Sequence, residues 1–150
     1  MEENIDKLDQ NTIQKGTLAG LKKYENLNFL EKYAMYMGVA QILEMRLKQI
    51  LTKNFDEEFE KLENFTLGQT IFKLKTGGMR KDFVSYAESV KDTRNYITHE
   101  LILNKVIWLS LVENNPEYYS KDDRGLDKGI YEIEQLMFIL EWNDKNGEWK

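Results

Sequence analysis

Three residues in this 150-residue chain have types and a spacing that could do chemistry: Arg94, Asn95 and His99. A guanidinium can grip a phosphate or a carboxylate through paired N–H donors, and an imidazole can move a proton near neutral pH. On a regular helix Asn95 and His99 stand one turn apart. Arg94 and His99 are separated by about 140° of azimuth and about 7.5 Å of rise, which rules out a close i,i+4 pair. They can instead flank a groove over the helix, or meet a second copy across a twofold axis. A structural role fits the same residues. Arg94 falls on an apolar stripe at 83, 87, 90, 94, 97 and 101, where a charge must be paired or must line a cleft. Glu44, Glu88 and Asp92 are its candidate partners, with Glu44 the favoured one and Glu44 and Asp92 the candidate supporting carboxylates. His99 is the single histidine, and a lone histidine commonly has only a surface role.

The elements that must position these residues read as helices. From about Asn28 to Lys53, Leu30, Tyr33, Met37, Ala40, Leu43, Leu47 and Ile50 recur at steps of three and four, the period of one helical face. Asn28 and Glu31 have the spacing of a capping box. A short helix over about 56–64 follows, with its acidic residues early. Another over Thr66–Lys75 carries Leu67, Ile71, Phe72 and Leu74 and stops at Gly77-Gly78. The motif helix spans about 80–103, with Phe83, Ala87, Val90, Ile97 and Leu101 facing the core. Helix and strand compete over 105–112, which is rich in β-branched residues, and helix is favoured by its neighbours. Residues 117–125 read as a polar loop with two tyrosines, and a last helix runs from Leu126 to about Trp142. The expectation is one all-α bundle of four to six helices, two or three of them long, with a polar leader over residues 1–15.

Composition narrows the function classes. No cysteine and one histidine remove thiol chemistry, disulfides and Cys/His zinc sites, leaving carboxylates as the only metal ligands. Hydrophobic residues make up 41% of the chain, enough for a core. The polar, acidic N-terminus lacks a secretory pattern, and the most apolar window, Leu101–Val112, falls short of the roughly 20 residues a spanning helix needs. The expectation is a cytoplasmic protein without a membrane span. The net charge of −5 does not suggest a general nucleic-acid binder. It conceals a stretch between Glu63 and Asp82 that contains no acidic residue but holds Lys73, Lys75, Arg80 and Lys81. Those four could guide a phosphate backbone, or be ordinary solvated cations. No phosphate-binding loop, dinucleotide fingerprint or nucleophile elbow occurs.

Arg94-Asn95, three further residues and His99, late on a long helix, resemble the signature of the HEPN superfamily (higher eukaryotes and prokaryotes nucleotide-binding domain). The preceding long helix, the short Thr66-Leu67-Gly68 helix and the glycine-broken loop are similar too, so the likeness covers about residues 28–104. The resemblance implies a helical bundle that pairs into a homodimer with two motifs facing a shared cleft. It implies metal-independent RNA cleavage without a cofactor, in a toxin or phage-defence setting where an antitoxin or defence partner can occur. His99 would act as general base on the ribose 2′-OH or as acid for the leaving 5′-oxygen. Arg94 would hold the scissile phosphate, and Asn95 would orient His99 or the phosphate. One subgroup of small HEPN toxins carries a modifiable tyrosine two residues after the histidine; Leu101 occupies that position here. The alternative expectation is a catalytically inactive HEPN-like module for protein interaction or nucleotide binding.

Overall fold

The computed structural model describes residues 8–101, 103 and 116–149, with side chains in the last group from 124 onward. All regular structure among them is helical, in six helices. They are α1 (Gln10–Leu21), α2 (Phe29–Asn54), α3 (Phe59–Leu62), α4 (Leu67–Thr76), α5 (Lys81–Tyr96) and α6 (Pro116–Asn146). A 3-10 turn, Lys22–Tyr24, follows α1, and a π turn, Ile97–Leu101, continues α5.

The local signals for the helix starts operate as read. In α2 the Glu31 amide donates to Asn28 Oδ1 at 2.9 Å while Glu31 Oε1 accepts from the Asn28 amide at 3.2 Å, a complete capping box. Thr66 and Gln69 form a second box at the start of α4. Gly147, just past α6, takes φ 65°, the left-handed conformation that ends a helix without a Cβ penalty.

Within the stretch read as a polar leader, α1 begins at Gln10, capped by Asp9, whose side chain accepts from the Thr12 amide at 2.7 Å. One expectation is corrected. Residues 117–125 are not a loop but the first part of α6. Pro116 stands at the first helical position, where its fixed φ and missing N–H cost nothing. The segment 105–112 lies outside the described residues.

The core lies between α2, α4, α5 and α6. Leu43, Leu47, Ile50 and Leu51 of α2 meet Ile71 and Leu74 of α4, Phe83, Ala87 and Val90 of α5, and Ile130, Ile133, Leu136 and Leu140 of α6. The α5 stripe is buried as expected. Leu30 and Phe72 are not core residues; they are 66% and 64% exposed. Tyr36 of α2, by contrast, is fully buried.

Glycines set how closely the helices approach. A methyl at Gly16 would overlap the Phe138 ring, so α1 lies tight along α6. On the other side of α6, Gly129 lies under Ile97 and Thr93, and Gly125 under Leu101 and Tyr96. The pairs 97 with 129 and 101 with 125 describe an antiparallel contact between the π turn and α6. Upstream the same contact continues through Thr93, whose hydroxyl donates to Glu132 Oε2 at 2.9 Å, and Tyr86, whose hydroxyl donates to Gln135 Oε1 at 2.6 Å.

Candidate functional site

Arg94 and Asn95 lie in the last turn of α5 and His99 in the π turn. This changes the geometry expected of a regular helix. A π turn closes its hydrogen bonds from i to i+5, drawing an extra residue into the turn. The azimuth of about 140° between Arg94 and His99 that a regular helix would give therefore does not hold across this turn. Ile97 and Leu101, at 0% and 1% exposure, anchor that turn against α6 while His99 and Glu100 between them stay exposed.

Arg94 is half-buried. Its Nη1 donates to Asn95 Oδ1 at 3.1 Å, so the asparagine orients the guanidinium. Its Nε is buried with no hydrogen-bond partner among the described residues. The Tyr36 hydroxyl, buried on α2, also lacks one. Burial pushes the Tyr36 hydroxyl well above the ordinary tyrosine range, Glu132 raises it further, and the Arg94 charge partly opposes both. Tyr36, Arg94 and Glu132 thus share one electrostatic neighbourhood. An unsatisfied buried polar atom costs about 1–3 kcal/mol, and two in one neighbourhood mark a place where packing alone did not choose the residues.

Glu44 does not form the expected ion pair with Arg94. It accepts from Lys48 Nζ at 3.1 Å, and the same ammonium donates to the Glu63 carbonyl at 3.0 Å. Lys48 is 5% exposed, and a buried ammonium one turn away claims the carboxylate first. Asp92 is exposed and faces Lys91 at 3.4 Å; Glu88 lies 3.9 Å from Lys75. Among the described residues no carboxylate lies within ion-pair distance of Arg94.

The basic stretch does not gather at the motif. Arg80 is at the opposite end of α5, about 21 Å of helix rise from Arg94, with Lys81 beside it. Arg80 is held in a fork by Asp82, with Nε–Oδ1 2.9 Å and Nη2–Oδ2 2.8 Å. That hydrogen-bonded pairing raises the arginine's pKa and lowers the aspartate's. Lys73 pairs with Glu57 at 3.1 Å. Lys73, Lys75 and Arg80 of the acid-free stretch thus each face an acid from outside it.

Tyr36 and the Gly125, Gly129 pair are the residues that sequence reading missed. The glycines had a signal, two small residues four apart in a helical stretch, but nothing in that spacing names the helix they admit. Tyr36 had none, since a buried tyrosine reads as core. Among the described residues no cluster of three or more potential metal ligands occurs, and no helix is long and apolar enough to cross a membrane. Compared with known proteins, the chain matches no family model, no curated protein and no solved structure.

Proposed function

We propose that this chain is a metal-independent endoribonuclease of HEPN type, working as a homodimer in toxin or defence function, with Arg94, Asn95 and His99 at its centre. The observation that supports the reading is a half-buried guanidinium, oriented by Asn95 and unpaired with any carboxylate among the described residues, on a helix continued by a π turn that carries an exposed imidazole. A structural arginine on this stripe calls for a carboxylate partner, and none stands by Arg94 among the described residues.

The chemistry follows from those groups. His99 takes the proton of the ribose 2′-OH as its oxygen attacks phosphorus, and the bond to the 5′-oxygen breaks. An imidazolium, supplied by a second copy's motif across the cleft, returns a proton to the leaving 5′-oxygen. Arg94 offsets the charge that gathers on the phosphoryl oxygens during attack. The nucleophile belongs to the RNA, so the products are a 2′,3′-cyclic phosphate and a 5′-hydroxyl.

The test is cleavage of RNA in EDTA, with end-group analysis of the products. His99→Ala and Arg94→Ala are expected to abolish cleavage while each unfolds within about 1 kcal/mol of the wild type, because neither strands a buried carboxylate among the described residues. Cleavage unchanged in both variants refutes the assignment. Light scattering at micromolar concentration checks the pairing, and a strictly monomeric species contradicts the shared cleft.

A further inference from the structure

One face of α2 carries an apolar stripe that no described residue covers. Met35, Ile42 and Met45 are 36%, 55% and 45% exposed, and Ala34, Gly38 and Gln41 share their face at steps of three and four. No charge stands on this face between Glu31 and Arg46, in a chain that is 31% charged. Lys32 and Glu44, the charged residues of that interval, turn off the stripe to Asp127 and Lys48.

Gly38 lies at the middle of the stripe. A glycine inside a helix costs about 1 kcal/mol relative to alanine. Gly16 and Gly129 admit a neighbouring side chain, but no described atom lies within 4 Å of where a Gly38 Cβ would stand. A glycine that nothing described inside the chain requires suits the close approach of a helix from outside it.

The ends of the stripe indicate which helix that is. Glu31, exposed, stands seven residues before Gly38, and Arg46 stands eight after it. Arg46 and Lys53 share one carboxylate, Asp144, at 3.3 and 3.9 Å, so that end keeps an excess of positive charge. A parallel copy of α2 would set like charge on like. An antiparallel copy, crossing on a twofold axis at Gly38, sets Glu31 of each beside Arg46 of the other, and Ile42 of each over the small Ala34 of the other. The axis also passes close to the motif, because the Thr98 hydroxyl donates to Met37 Sδ at 3.5 Å. A twofold axis perpendicular to the helix pair keeps both π turns on the same side of it, as a shared cleft requires.

The geometry points to a homodimer formed by α2 packing antiparallel on α2 of a second copy, with Gly38 at the crossing. It rests on the proposed function for the existence of a homodimer, and not for RNA cleavage. The stripe is about 23 Å long, and one helix pair of that length buries less than the roughly 800 Å² per partner of a standard interface, so dissociation in the micromolar range is expected.

Sedimentation velocity on the full chain, from about 1 to 100 μM, reads the dimer. Ile42→Glu is expected to weaken it at least about tenfold, and Phe72→Glu, at a residue of α4 that is 64% exposed, to leave it unchanged. The chain has no cysteine, so Gly38→Cys places a single thiol on the axis, and brief oxidation is expected to link two copies through it. Gln49→Cys, whose mate would lie about 33 Å away along the pair, is expected not to cross-link. A dimer that Ile42→Glu does not weaken, or a Gly38→Cys chain that does not cross-link, overturns this face and leaves a homodimer standing. A wild-type chain that stays monomeric throughout overturns both, and leaves the stripe to a different protein. A chain that pairs through α2 but cuts no RNA refutes the ribonuclease reading alone.

Discussion

Gly125 and Gly129 stand four apart on the same face of α6, yet alanine at the two positions is expected to change stability in opposite directions. Alanine gains about 0.8–1 kcal/mol over glycine in a helix interior. At Gly125 the added Cβ meets Leu101 Cδ1 at 3.7 Å and Tyr96 Cε1 at 4.0 Å, ordinary van der Waals contact. Gly125→Ala should therefore keep most of the gain and stabilise the protein by about 0.5–1 kcal/mol. At Gly129 the Cβ overlaps Ile97 Cδ1 and comes within 3.2 Å of Thr93 Cγ2. Ile97 is 0% exposed and fixed in the π turn, so it has little room to retreat. Overpacking costs about 1–3 kcal/mol, and even after the propensity gain Gly129→Ala should lose about 1–2 kcal/mol. Urea unfolding followed by circular dichroism, at one protein concentration for all three proteins, reads both changes as shifts in midpoint at constant slope. The close approach of α5 and α6 would be refuted by a Gly129→Ala protein as stable as the wild type, or by a same-sign shift in both variants. If the π turn positions His99, Gly129→Ala should also lower RNA cleavage more than its stability loss accounts for.

Other expectations follow from the buried polar groups. Tyr36→Phe removes a buried hydroxyl that has no partner among the described residues, so it should raise stability by about 1 kcal/mol in the same unfolding assay, and a loss would place an unseen partner on that oxygen. Tyr24→Phe should do the reverse, costing about 1–2 kcal/mol, because the Tyr24 hydroxyl donates at 2.8 Å to Glu134, a carboxylate only 5% exposed that also pairs with Lys23. Tyr24, Tyr36 and Tyr86 all have their hydroxyl pKa pushed upward, first by burial and then by neighbouring Glu134 or Glu132. The folded state then holds protons that the unfolded chain releases near pH 10. Stability is full below that pH and falls above it, by up to about 1.4 kcal/mol per pH unit for each tyrosine. Unfolding midpoints measured from pH 8 to 11 should decline only at the alkaline end, and less steeply in Tyr36→Phe.

Much of the fold was legible because its signals are local. The capping boxes at Asn28 and Thr66 work through residues three apart, and the stripe on α5 is a one-helix pattern that burial follows. The candidate triad was legible for the same reason, since all three members lie within six consecutive positions. What failed were inferences from polarity alone. Residues 117–125 are as polar as a loop, but α6 passes through them from Pro116 onward.

Sequence by itself determined the chemistry that the chain can carry: one imidazole, no thiol, and an arginine set into an apolar stripe. Only the tertiary structure decided how those groups stand. It turned the α5 end into a π turn and set His99 in it. It assigned Glu44 to Lys48, and it dispersed the basic stretch among Glu57, Glu88 and Asp82. The reason is physical: periodicity and caps act over three or four residues, whereas a charge chooses its partner by distance in space, and the nearest carboxylate is set by how the helices pack.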